Sequence, residues 1–187
     1  AAQGYTVTTF QRSPSGLESV RDVRGSLTDP RAVEAAVAGQ DAIIHMAAKV
    51  SVSGRREDFE QINILGTEQI FDAAWAAGVE NISVAHSGSS LVGAGAGPAD
   101  PLHAEGHYAR TKAEAEIIAE TRGSAGTNVL IMRPHLVWGP GDGQLTKRII
   151  DRAKSGRLPL LGTGAPLVDT LYIDNAVEAF TAGLLRL

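Results

Sequence analysis

Short β-branched and apolar runs alternate with runs of helical length along nearly the whole chain, and this alternation constrains the fold more than any other feature. Thr6-Val7-Thr8-Thr9-Phe10, bounded by Gly4 and by Ser13-Pro14-Ser15-Gly16, predicts a strand. Asp29-Pro30 suits an N-cap followed by a first-turn proline, and a helix is expected to run on to Ala38. Asp41-Ala42-Ile43-Ile44-His45-Met46 is short and nearly continuously apolar, the pattern of a strand covered on both faces. Residues 59–77 read as one long helix, with Ile62, Leu65, Ile70, Phe71, Ala74 and Trp75 near helical spacing and Gly78 as its stop. Residues 81–86 predict a weaker strand, 108–121 a helix and 128–132 another strand. Helices inserted between strands act as crossovers, so the class is α/β with a parallel sheet.

With 187 residues, 43% of them hydrophobic, the chain can bury a sizeable core and is expected to form one domain, residues 1–187. A net charge of -4 gives no general attraction to phosphate backbones or anionic lipid, so nucleic acid and membrane surfaces are not expected partners. No apolar run approaches the roughly 20 residues needed to span a bilayer. The sequence has no cysteine, which removes disulfides and thiolate metal sites and fits a reducing cytoplasm. Gly93-Ala94-Gly95-Ala96-Gly97-Pro98 imitates a phosphate-binding loop but runs into Ala99-Asp100-Pro101 instead of opening a helix, so it reads as a flexible loop. Gly139-Pro140-Gly141-Asp142-Gly143 reads as a turn-rich connection. The histidines His86, His103 and His107 lack metal-ligand spacing, and His45, on a buried strand, suits a core role.

Chemistry points to Tyr108-Ala109-Arg110-Thr111-Lys112. On a helix, residues four apart share a face, so the phenol and the ammonium can enter one site. A nearby cation favours phenolate and brings a group of ordinary pKa about 10 closer to working range. The same spacing also arises in an amphipathic helix with a half-buried Tyr and a solvated Lys.

Several motifs now fall on these elements in order. His45-Met46-Ala47-Ala48, Asn63-Ile64-Leu65-Gly66-Thr67, Tyr108 with Lys112, Arg133-Pro134 followed by Gly139-Pro140-Gly141, and Leu171-Tyr172-Ile173-Asp174-Asn175 together resemble the extended short-chain dehydrogenase/reductases, the NAD-dependent epimerase/dehydratase family. The resemblance implies a doubly wound, Rossmann-type sheet with part of a small C-terminal substrate-binding region. It implies Tyr108 as general acid/base, Lys112 as the cation that lowers its pKa and binds the nicotinamide ribose, and Asn63 as the residue that holds the active-site helix and a proton-relay water. A substrate-binding serine is implied after the fifth strand of the family fold; counting forward from Ala77-Gly78-Val79 places it at Ser87, with Ser89 and Ser90 as further candidates. A reading around Ser83-Val84, or a break in the chain near Ile82, would move it elsewhere. Cofactor contacts are implied at Arg12, Ser26, Leu27, Ala47, Ala48, Lys112 and Pro134.

The family's glycine-rich Gly-x-x-Gly-x-x-Gly loop does not occur in the sequence. In strand order 3-2-1-4-5-6 the strand that carries it lies between the one at Thr6 and the one at Ile43, so residues before Ala1 forming a strand and glycine-rich turn are expected, and a substrate region after Leu187. The second family strand ends Phe10-Gln11-Arg12-Ser13, with a guanidinium and no carboxylate, which favours NADP as cofactor and leaves NAD open.

The expected function is NAD(P)-dependent interconversion of a secondary alcohol and a ketone on a small, apolar substrate, as in the 3β-hydroxysteroid dehydrogenase branch. Nucleotide-sugar enzymes of the family commonly carry an Arg where this chain has Val168, ahead of Asp169, although Arg148, Arg152 and Arg157 lie nearby in sequence. The alternatives are a nucleotide-sugar epimerase or dehydratase and a non-catalytic dinucleotide sensor or scaffold. A homodimer is one expected assembly.

Overall fold

The computed structural model describes residues 4–51, 53–85, 97–143, 146–159, 163–164 and 169–187. In chain order these form β1 (Thr8–Gln11), β2 (Arg21–Arg24), α1 (Pro30–Val37), β3 (Ala42–His45), α2 (Arg56–Phe59), a π-helical turn (Glu60–Leu65), α3 (Gly66–Ala77), β4 (Asn81–Ala85), α4 (Gly106–Ser124), β5 (Asn128–Met132), β6 (Val137–Trp138), α5 (Thr146–Lys154), β7 (Leu171–Tyr172) and α6 (Ile173–Leu184). All strand pairs are parallel, as the crossovers require. Among the described residues they make three ladders, β1 with β2, β3-β4-β5, and β6 with β7, with no hydrogen bonding between β1 and β3. The α/β class expected from the alternation and the Rossmann-like fold implied by the resemblance are the observed ones.

Local rules account for most boundaries. Asp29 is extended and its carboxylate accepts from the Arg31 and Ala32 N–H groups, with Pro30 at the first helical position. Gly78 ends α3 in the left-handed region at φ 74°, and its N–H together with that of Val79 returns to the last carbonyls of the helix. β4 is the middle strand of its ladder, paired on both sides at Ile82 with Ile43 and Val129.

The core lies between β3-β4-β5 and the helices α1, α3 and α4. Val33 and Val37 of α1, Ile70, Phe71 and Ala74 of α3, Ile82 and Val84 of β4 and Ala119 of α4 form one cluster. Burying side chains of this kind contributes about 1.5–3 kcal/mol each, before the entropy of ordering them. Helix α6 packs on β4 and β5, with Ala176 and Phe180 buried.

Two expectations differ from the structure, and one strand was not foreseen. Ile44 is 39% exposed, so β3 is covered on one face at this position and not on both. Residues 59–77 do not form one uniform helix. A π turn occupies Glu60–Leu65, and the face that α3 buries carries Ile70, Phe71 and Ala74, while Leu65 and Trp75 are 49% and 80% exposed. β2 has the sequence Arg-Asp-Val-Arg and no apolar pattern, and it forms because its backbone pairs with β1 from Thr8 opposite Arg21 to Gln11 opposite Arg24.

Candidate active site

The candidate side chains Asn63, Tyr108 and Lys112 gather where β3 and β4 end and helix α4 begins, the carboxyl ends of parallel strands at which open α/β sheets bind ligands. Helix α4 starts after Glu105, with Gly106 at φ 80°. Tyr108 and Lys112 stand one turn apart on it; Tyr108 is half-buried and Lys112 is buried. The structure therefore departs from the plain amphipathic alternative, in which Lys112 would be solvated.

Lys112 reaches across to β4, where its Nζ donates to the Ala85 carbonyl at 2.8 Å. That bond uses one of the three donors of the ammonium. Burial lowers the Lys112 pKa to about 8, while the Glu116 carboxylate one turn along the helix acts in the opposite direction. Lys112 is thus a cation at neutral pH, held in low dielectric where its charge carries further than in water.

Asn63 explains why the helix before it is distorted. It lies in the π turn and is buried, and its amide makes hydrogen bonds to two other segments. Its Oδ1 accepts from the Lys49 N–H at 2.7 Å and its Nδ2 donates to the Lys49 carbonyl at 3.3 Å, clamping the backbone that follows Ala47 and Ala48. The same Nδ2 donates to Thr111 Oγ1 at 3.0 Å, and Thr111 in turn donates to the His107 carbonyl at 2.8 Å. Asn63 therefore fastens the loop after β3 to the stretch of α4 between Tyr108 and Lys112. A π turn is a recurrent feature of functional sites, and here it aims one amide at both segments.

His45 anchors the other end of this chain of bonds. Its Nε2 is 3.0 Å from Thr67 Oγ1, and Thr67 donates its only hydroxyl hydrogen to the Asn63 carbonyl at 2.7 Å. Nε2 must therefore carry the hydrogen of the His45–Thr67 bond. Burial, reinforced by the Lys112 charge, holds the His45 pKa down at about 4, so the ring is neutral at pH 7. Gly66, beside Thr67, lets α3 approach the loop after β2: a Cβ there would stand 3.0 Å from the Leu27 Cβ.

The remaining expected cofactor residues border this region or its neighbouring ladder. Arg12 follows β1 and is exposed. Ser26, after β2, is half-buried, with its Oγ 2.8 Å from Thr28 Oγ1 and accepting from the Thr28 N–H at 3.2 Å. The Leu27 side chain is 7% exposed and belongs to the core cluster, which leaves its backbone for any ligand contact. Ala47 is exposed, and Ala48 and Pro134 are half-buried. Ser87, Ser89 and Ser90, the glycine-rich patch up to Ala96, His86 and Val168 lie outside the described residues. Ser83 is inside β4, fully buried, and its Oγ has no hydrogen-bond partner among the described residues.

A dinucleotide fits what these residues offer at the nicotinamide side. A buried ammonium with donors beyond its bond to Ala85 suits ribose hydroxyls, and the clamped backbone at Ala47 and Ala48 provides a rigid edge beside it. Sequence reading missed Thr67, Thr111 and Glu116, although Thr67 lies within Asn63-Ile64-Leu65-Gly66-Thr67, Thr111 within the Tyr108–Lys112 stretch, and Glu116 four residues beyond Lys112.

Comparison with known proteins agrees with the geometry. The chain is 39% identical over 189 residues to a 2-alkyl-3-oxoalkanoate reductase of Stenotrophomonas maltophilia (strain K279a), an alignment covering 95% of this chain and 57% of that protein. It is 27% identical over 197 residues to a 3 beta-hydroxysteroid dehydrogenase/Delta 5-->4-isomerase of Mycobacterium tuberculosis (strain CDC 1551 / Oshkosh), covering 95% of this chain and 53% of the relative. The chain thus spans about half the length of the curated relatives it matches. Among solved structures, MoeE5 in complex with UDP-glucose and NAD superposes with a TM-score of 0.83 at 26% identity, over 98% of this chain and 64% of that one. A model of the NAD dependent epimerase/dehydratase family matches residues 1–186, and the chain belongs to that family.

Proposed function

We propose that the protein containing this chain reduces a ketone to a secondary alcohol, with a reduced nicotinamide dinucleotide as hydride donor and an apolar 3-oxo acid bearing an alkyl branch as substrate. The observation that carries this reading is the buried, charged Lys112 one turn from Tyr108 and tethered to the end of β4. The substrate class is supported by the 39% identity to a 2-alkyl-3-oxoalkanoate reductase and by a second reductase of that name from Shewanella oneidensis at 33%.

A reduced nicotinamide, when bound, would supply the hydride for the carbonyl carbon. The Tyr108 phenol donates its proton to the carbonyl oxygen, so one hydride and one proton convert ketone to alcohol. Lys112 stabilises the phenolate left behind and holds the nicotinamide ribose. Asn63, through Thr111 and Lys49, keeps helix α4 and the backbone after β3 in register for that transfer. NADP is the cofactor we favour, because Arg12 after β1 offers a guanidinium for an adenosine 2′-phosphate.

A substrate panel tests the reading. A 2-alkyl-3-oxo acid, a 3β-hydroxysteroid and a UDP-sugar are offered with NAD or NADP in the matching redox state, followed by reduced-nicotinamide absorbance and by product analysis for redox-neutral epimerisation. The 3-oxo acid is expected to turn over fastest, and faster conversion of the nucleotide sugar would replace this substrate class. Tyr108→Phe, which keeps the ring and removes the proton, is expected to lower kcat by about 10²–10⁴-fold with dinucleotide affinity within a few fold. Unchanged kcat would remove Tyr108 from the mechanism.

A further inference from the structure

Three charged side chains lie in sequence along the inner face of α4 and the end of β5. Lys112 and Glu116 are one turn apart on the helix, and Arg133 follows Met132, the last residue of β5. The Glu116 side chain is fully buried, and a carboxylate there is stable only with a partner. Arg133 provides it: its Nε donates to both Oε1 and Oε2 at 3.1 Å, and its Nη2 donates to Oε1. This carboxylate raises the Arg133 pKa further, chiefly through those hydrogen bonds. Arg133 directs three hydrogen bonds at the carboxylate, while the Lys112 Nζ is directed to Ala85.

The signs of the charges give this arrangement a consequence for Lys112. Glu116 and Arg133 sum to zero, so the trio carries the single positive charge of Lys112. Among the described residues, the other titratable groups around Lys112 are Tyr108, one turn earlier on the same helix, and His45 at the end of β3, which is neutral at pH 7. Without Arg133, the Glu116 carboxylate would be buried one turn from Lys112, on which it already acts, with its charge no longer offset by the guanidinium. An ion pair there would cancel the field at Tyr108 and compete for the donors that meet the dinucleotide.

We propose that Arg133 is a positioning residue of the proton-transfer site: by engaging the Glu116 carboxylate it keeps the Lys112 charge available to Tyr108 and to the dinucleotide. The proposal rests on the reading of Tyr108 and Lys112 as the reacting pair. It assigns Arg133 a task through side-chain charge, separate from any contact of the neighbouring Pro134 with the cofactor.

The test is a double-mutant cycle in the intact protein, with Glu116→Gln, Arg133→Met and both together. The titration of Lys112 is read without cofactor by carbon NMR of the lysine ε position, assigned with Lys112→Arg. Glu116→Gln is expected to lower the Lys112 protonation constant about tenfold, Arg133→Met to raise it about tenfold, and the double variant to return within about threefold of the parent. Dinucleotide affinity at neutral pH is expected to fall several-fold in each single variant and to recover in the double. If Arg133→Met does not fold, recovery in the double variant relative to Glu116→Gln supports the proposal on its own. Lys112 titrations that stay unchanged, or that move in one direction in all three variants, would show that the Glu116–Arg133 pair only ties α4 to β5. This outcome is separate from the status of the reacting pair, which Tyr108→Phe decides by turnover.

Discussion

Replacing Asn63 with Ala removes three hydrogen bonds in a buried position: one accepted from the Lys49 N–H, one donated to the Lys49 carbonyl and one donated to Thr111 Oγ1. At a net of about 1 kcal/mol for each bond the loss is about 3 kcal/mol, and leaving the Lys49 N–H without its partner adds roughly 1 kcal/mol or more. A total of about 4 kcal/mol is large for a single substitution, and in a chain of this size it corresponds to a fall in Tm of roughly 8–16 °C. Asn63→Leu keeps the branched shape in a larger side chain and lacks the same three bonds, so it is expected to be no more stable than Asn63→Ala. The assay is thermal or urea unfolding of the three proteins, with dinucleotide affinity measured alongside. Because Asn63 clamps both the backbone after Ala48 and the helix between Tyr108 and Lys112, affinity and kcat should fall together. A loss below about 1 kcal/mol, or restoration of stability by Leu, would refute the reasoning, since it would mean that water or packing replaces the amide at no cost.

Other perturbations follow from the same geometry. Lys112→Ala should weaken dinucleotide binding and lower kcat together, measured by titration and steady-state kinetics, because one ammonium serves both. The folded Lys112 has a pKa of about 8 against an ordinary 10.5, so the folded state binds fewer protons between those values; stability should gain from this group as pH rises from 8 to 10.5, while dinucleotide affinity declines above pH 8 as the charge is lost. His45 is depressed from 6.5 to about 4, so its neutral form stabilises the fold above pH 6.5 and that contribution is lost as pH falls towards 4; His45→Gln should flatten the acid limb of a stability–pH curve in this window. Gly139→Ala would place a Cβ 2.4 Å from Ile173 Cγ2, where β6 meets the start of α6, and should cost about 1–3 kcal/mol by chemical unfolding. Arg12→Ala should narrow any preference for NADP over NAD in parallel titrations; equal affinities unaffected by the substitution would make Arg12 a surface residue.

The alternation of apolar strands and amphipathic helices determined the parallel α/β class, and local chemistry determined many of the boundaries. Asp29 with Pro30 starts α1 and Gly78 ends α3 through their own backbone and side-chain preferences, so no distant contact was needed to foresee them. The pairing of Tyr108 with Lys112 was legible for the same reason, since four residues make about one turn of any helix. Tertiary structure alone decided what depends on contacts between segments far apart in sequence. Arg21–Arg24 became a strand because β1 lies beside it, and the run 59–77 took a π turn at Glu60–Leu65, where the Asn63 amide bonds both the loop after β3 and helix α4. The state of Lys112 was likewise set by burial, by the Ala85 carbonyl 27 residues earlier and by a carboxylate that Arg133 engages from 17 residues away. Spacing along a chain specifies which side chains share a face, whereas charge state and orientation depend on the dielectric and the partners that folding brings to that face.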